Sequence, residues 1–171
     1  MLLTLPHFFV VFSVLGRVSS QLHKYVDPFI GTQGTVPGTG YNGGNTFPGA
    51  AVPFGMVKIG PDVTTFNISI GANAGYLPDG NVTAFSLTHV SGTGGAPVYG
   101  VVSQMPLLTL EGVNVVDNLT YMQPRSGSDQ ASVGYFRSIF QNGIETELTA
   151  TSHVGFLQYS MPEKQPNQTS W

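Results

Sequence analysis

Glu145 and Glu147 are the closest acidic pair in the sequence. Two residues along a strand span about 6.6 Å, within the carboxyl separation of an inverting glycosidase. Both would leave one strand in the same direction, whereas that chemistry needs an acid and a base on opposite sides of the scissile bond. A solvated strand face is the simpler reading. His23, His89 and His153 follow no metal-ligand spacing, and the sequence has no cysteine, so neither a metal site nor a thiol nucleophile is expected. His89 ends an apolar run and leads at once into Val90-Ser91-Gly92-Thr93-Gly94-Gly95. A polar side chain where a strand enters a glycine loop is one way to hold a ligand contact on a rigid element. A satisfied histidine at a strand end is the alternative. Ser91 lacks the G-x-S-x-G frame of a nucleophile elbow. Gly38-Thr39-Gly40-Tyr41-Asn42-Gly43 spells a dinucleotide fingerprint, but Thr46-Phe47-Pro48-Gly49 opens no helix after it. Gly92–Gly95 lacks the Lys of a phosphate loop. No catalytic residue is assigned to this chain.

The elements that would carry these residues are strands. Residues 31–60 hold nine glycines and three prolines, so no helix runs through them, and Gly31–Thr46 reads as a long loop. Phe66–Ala72 is a candidate strand, and Pro78-Asp79-Gly80 is a turn. Along Val82–Val90, Thr83, Phe85, Leu87 and His89 share one face, with Ala84, Ser86 and Thr88 on the other. Val98–Leu110 reads as a strand bent or broken at Pro106. Val133–Gln141 and Ile144–Ser152 flank Asn142-Gly143 as a hairpin. In its second strand Ile144, Thr146, Leu148 and Ala150 face inward. Val154–Met161 follows as another strand. The fold expected is all-β, an antiparallel β-sandwich.

Composition supports that reading. The 171 residues include 22 glycines and 12 prolines, and only 9% are charged. Six Lys and Arg make no nucleic-acid footprint. The apolar run Met1–Leu15 is too short to span a bilayer. It ends in Val18-Ser19-Ser20 before Gln21, as a signal peptide over residues 1–20 would. Neither nucleic acid nor membrane is expected as a partner. Loss of Arg17 with that leader leaves five basic against nine acidic residues. Asn67, Asn81, Asn118 and Asn167 head four N-glycosylation sequons among nine asparagines, which fits a secreted, extracellular chain.

Several runs then occur in a telling order. Tyr25-Val26-Asp27-Pro28-Phe29-Ile30-Gly31-Thr32 comes first, then Gly43-Gly44-Asn45-Thr46-Phe47-Pro48-Gly49-Ala50-Ala51-Val52-Pro53-Phe54-Gly55-Met56. Phe85–Gly95 and Tyr99–Pro106 follow, and Gly134-Tyr135-Phe136 precedes Glu147–Thr151. In this order they resemble the N-terminal domain of glycoside hydrolase family 92, the calcium-dependent exo-α-mannosidases, most closely their fungal members. The resemblance covers residues 25 to about 161. It implies a β-sandwich over 21–171 that packs on a larger C-terminal (α/α)6 domain, with the sugar pocket between them. It places the acid glutamate, the base aspartate and the Ca2+ ligands in that C-terminal part, so no cofactor is expected in this chain. The implied partners are mannose-containing glycans and the C-terminal catalytic domain.

Loops of Gly, Asn, Thr and an aromatic suit a sugar, which offers hydroxyls and an apolar face. Asn45, Phe47, Gly49, His89 and Ser91 are therefore expected to gather at one end of the sandwich as substrate-binding residues. The same residues would also suit domain docking. Three functions compete: a mannosidase N-terminal domain not competent for hydrolysis alone, a stand-alone carbohydrate-binding module, and an inactive structural glycoprotein.

Overall fold

Asn142-Gly143 does close a hairpin. The computed structural model describes residues 22–32, 44–64, 74–90 and 100–163. Strand β5 (Tyr135–Ile139) pairs antiparallel with β6 (Glu145–Ala150), from Tyr135 opposite Thr149 to Ile139 opposite Glu145. The Phe140 amide donates to the Ile144 carbonyl at 2.9 Å and the Gly143 amide to the Phe140 carbonyl at 3.0 Å. Gln141, Asn142 and Gly143 thus form a three-residue loop. Gly143 takes the left-handed position at φ +86°, which an L side chain adopts only with strain.

β4 (Gln130–Ser132) and β7 (Gly155–Ser160) extend this pair into the sheet β4-β5-β6-β7. A second sheet has the order β1-β2-β3, from Ala50–Ala51, Lys58–Thr64 and Asn81–Ser86. All pairings between named strands are antiparallel. Two single-turn 3-10 segments, Leu22–Tyr25 and Asn118–Thr120, complete the regular structure of the described residues. The all-β antiparallel expectation holds. Among the described residues no helix is long and apolar enough to cross a membrane.

Strands β1 and β2 pack on β6, and the core lies between the sheets. Ile59, Val63, Val82 and Phe85 meet Phe136, Phe140, Ile144 and Leu148, all buried in one cluster. The Phe85 and Phe140 rings lie 6.0 Å apart. Each such side chain contributes about 1.5–3 kcal/mol by leaving water. The alternation expected in β6 is observed: Ile144, Thr146, Leu148 and Ala150 are buried, while Glu145, Glu147 and Thr149 are not.

Two expectations need correction. The strand expected over Val82–Val90 ends at Ser86, and its alternation slips. Asp62 pairs with Ala84 but Val63 with Val82, so Thr83 is the extra residue of a bulge. Val82 and Phe85 are therefore both buried, and Ser86 is buried as well. The strand expected from Val98 pairs, in its described part, only where Gln104 bridges Phe85. Gly100 at φ +95° and Val102 at φ +53° turn the chain instead. Phe66–Ala72 falls outside the described residues.

On the outer face of the β4-β5-β6-β7 sheet, the Arg137 Nε donates to Glu145 at 2.5 Å and the Tyr135 hydroxyl to Glu147 at 2.5 Å. Desolvation first, then the Glu147 carboxylate that accepts its proton, pushes the Tyr135 phenol from 10.0 up to about 12. Its folded-state pKa lies above its unfolded value, so its contribution to stability is complete below pH 10.0 and fades as pH rises toward about 12. Burial also pushes Tyr159 up to about 12, so phenolate absorbance near 12 should carry both tyrosines and fall by one tyrosine's amplitude in Tyr135→Phe. A variant whose titration overlays the parent would contradict the assignment.

Candidate functional site

Strand β2 carries Gly60-Pro61-Asp62, and Asp62 is only 4% exposed. A carboxylate drawn into a buried strand needs donors. Ser86 supplies one: its hydroxyl donates to Asp62 Oδ1 at 2.7 Å. His89, reached three residues after β3 ends, turns back beneath the sheet with its Nε2 3.1 Å from both Asp62 Oδ1 and Ser86 Oγ. Its Nδ1 lies 2.8 Å from the Ala74 carbonyl, so that nitrogen donates.

The loop before β1 closes over this cluster. The Phe47 ring stacks on the His89 ring at 4.7 Å and 18°. Glycine makes the approach possible at two places. A Cβ on Gly49 would lie 2.2 Å from the Ile59 carbonyl, and one on Gly60 would lie 2.8 Å from the Phe47 ring. Gly49 is thus required by the fit of its loop on β2.

One chain of hydrogen bonds then joins separate parts of the molecule. The Ala74 amide donates to the Gly44 carbonyl at 2.9 Å. The Ala74 carbonyl accepts from His89, His89 meets Ser86, and the Gly100 amide donates to the Ser86 hydroxyl at 3.1 Å. Gly44, Ala74 and Gly100 come from distant stretches of sequence, and this path holds them at one place.

Asp, Ser and His together suggest a hydrolase triad, but the geometry differs. A triad sets the acid on one ring nitrogen and the serine on the other. Here both meet Nε2, and Ser86 is fully buried. The cluster can position loops but cannot present a nucleophile.

Of the expected site residues, Phe47 and His89 are in contact, and both are buried. Gly49 lies under Phe47, and Asn45 is exposed on the same loop. Ser91 lies outside the described residues. Sequence reasoning missed Asp62 and Ser86. It gave Asp62 no role and set Ser86 on the strand face opposite His89. A charged residue between Ile59 and Val63 was the available signal, because a buried strand cannot hold a charge unpaired.

His23 and His153 are exposed, and Glu145 and Glu147 share the outer sheet face. Asn81 lies at the start of β3 with its amide on Met122 Sδ at 3.6 Å. Asn118 opens the 3-10 segment capped by Asp117. Asn67 and Asn167 are outside the described residues.

With this geometry in place, comparison with known proteins decides the family. The model of the glycosyl hydrolase family 92 N-terminal domain matches residues 25–170. The chain belongs to glycosyl hydrolase family 92. A relative described as an uncharacterized secreted glycosidase of Arthroderma benhamiae is 32% identical over 162 residues, covering 87% of this chain and 19% of its own length. The solved structure of a family 92 inverting mannosidase from Bacteroides thetaiotaomicron superposes with a TM-score of 0.62 at 29% identity, covering 83% of this chain and 18% of that one. The chain therefore spans about a fifth of the length of these relatives.

Asp62→Ala should cost about 3 kcal/mol, because it leaves His89 buried without its carboxylate. Urea unfolding of parent and variant measures this. A loss below about 1 kcal/mol, typical of an exposed pair, would contradict a buried and organising role.

Proposed function

We propose that this chain is the N-terminal, pocket-forming domain of a secreted α-mannosidase acting on mannose-containing glycans, and that it does not hydrolyse them alone. The observation that carries the proposal is the family 92 N-terminal match across residues 25–170. In this reading residues 1–20 are a signal peptide and 21–171 form the domain. Secretion is supported by the apolar leader and by the secreted relative. Asn67, Asn81, Asn118 and Asn167 are its proposed glycan acceptors. The proposed sugar-facing residues are Asn45, on the loop that Phe47 and Gly49 hold in position, and Ser91, which lies outside the described residues.

The acidic residues support inactivity. Inversion needs an acid and a base across a cleft. Asp62 is held by Ser86 and His89, and Asp129 by Arg125. Asp117 caps a 3-10 turn, and the Asp27 side chain accepts from the Phe29 amide. Glu145 and Glu147 stand on one wet face. Nor do the acids fit a calcium ion: among the described residues no three His, Asp or Glu side chains group to hold a metal. The proposal leaves acid, base and calcium to a C-terminal domain.

Exposed apolar residues support docking to such a domain. Phe54 is 106% exposed on a turn where the Gly55 amide donates to the Val52 carbonyl. Its φ of +59° is left-handed, costing about 1–2 kcal/mol in a non-glycine residue. Met56, Leu110, Val115 and Val116 are exposed too. A strained, exposed aromatic suits a contact that buries it.

The purified chain should give no turnover of aryl α-mannosides or manno-oligosaccharides with calcium added. Turnover abolished by substitution of an acidic residue within 21–171 would overturn the proposal.

A further inference from the structure

A cleft of about 450 Å³ opens on another part of the fold, lined by Phe29, Thr32, Tyr76, Asp79, Ser128 and Asp129 among others. Its floor is built from side chains that sequence reasoning left unassigned. The Arg125 guanidinium donates to the Leu77 and Gly80 carbonyls at 2.5 and 2.6 Å, and to Asp129 Oδ2 at 2.6 Å. It also lies 5.1 Å above the Tyr76 ring. The Tyr76 hydroxyl donates to the same Asp129 oxygen at 2.9 Å. Burial, with the Asp129 charge, pushes that phenol well above its ordinary range, so it stays a donor.

Asp129 Oδ2 therefore takes two donors, while Oδ1 takes none among the described residues. The Asp129 side chain is only 1% exposed. A buried carboxylate oxygen without a donor costs on the order of 1–3 kcal/mol. The cleft wall to which Asp129 belongs is where a donor can be supplied.

The surroundings restrict what brings it. Arg125 already balances the Asp129 charge, which disfavours a cation. Asp79 on the wall disfavours an anion. Phe29 and Tyr76, 6.3 Å apart and tilted at 52°, offer apolar surface. Thr32 and Ser128 add hydroxyls, and the Thr32 oxygen, which donates to the Phe29 carbonyl at 2.8 Å, keeps its acceptor capacity. A ligand that is neutral, rich in O–H donors and apolar on one face meets all of these conditions. The volume falls in the range of small-ligand pockets.

We propose that this cleft binds one pyranose ring of a neutral glycan, with ring hydroxyls donating to Asp129 and an apolar sugar face against Phe29. The residues of the Asn45–Gly49 loop do not line the cleft, although Gly31 beside Thr32 lies against Thr46, and the proposal rests on the mannosidase reading only for the choice of sugar.

The test is NMR titration of the purified chain with methyl α-mannopyranoside, with calcium chloride and inorganic phosphate as separate arms. The sugar should shift the amides of Thr32, Tyr76, Gly127 and Ser128 saturably, and the two ions should not. Phe29→Ala should weaken that binding about fivefold, the order expected for one aromatic contact, read at a temperature where the amide spectrum shows the variant folded, because Phe29 also packs against the core. Asp129→Asn should abolish it; if that variant does not fold, Phe29→Ala carries the test. Saturable shifts with calcium or phosphate in place of the sugar would overturn the proposal, as would no shift at the cleft or Phe29→Ala binding at parental strength. Shifts confined to Asn45 and Gly49 would overturn it while leaving the functional reading intact. Shifts confined to the cleft would support it and count against the Asn45 loop.

Discussion

The pairing of Asp62 with His89 beneath the β1-β2-β3 sheet is the interaction on which the candidate site depends. A carboxylate and an imidazole out of reach of water are tolerated only when every polar atom finds a partner. Ser86 and the carbonyls of Gly60 and Ala74 complete the set. Satisfying these two side chains draws Ala74, Ser86 and Gly100 together, although they belong to different parts of the chain. The loop of Asn45–Gly49 then has a flat lid to form, because Phe47 can lie on the His89 ring only where Gly49 and Gly60 remove side-chain bulk. The two glycines and the polar cluster are thus parts of one constraint.

Much of the fold was legible because it follows local rules. The inward row of β6 shows in the strict alternation of Ile144, Thr146, Leu148 and Ala150 with polar residues. The hairpin shows in Asn142-Gly143, although its loop is a residue longer than Asn-Gly commonly closes. What escaped was non-local. The bulge at Thr83 arises from pairing with β2, so no pattern within Val82–Val90 reveals it. The segment after Gly100 carries strand-like residues, but left-handed Gly100 and Val102 break it before a ladder can form.

The site was half legible for the same reason. Phe47 and His89 could be named from their motifs, and the structure does bring them into contact. Both rings are closed inside the fold, where they hold loops, while Asn45 on the same loop as Phe47 is exposed. Asp62 and Asp129 looked like scattered acids because their partners, Ser86 with His89 and Arg125 with Tyr76, are brought up by tertiary packing. Family membership fits this division of labour. Under the proposed function, a domain that spends its buried acids on architecture would leave hydrolysis to a larger partner; the relatives are about five times its length.

The most direct test of the central claim observes the His89 ring itself. Long-range nitrogen–proton NMR on the folded chain should find an Nδ1 proton on His89 that exchanges far more slowly than those of exposed His153, as its bond to the Ala74 carbonyl requires. Asp62→Asn should perturb this ring and the Ala74 and Gly100 amides together. A His89 ring that exchanges as fast as His153, or whose signals ignore the loss of the Asp62 charge, would contradict the account.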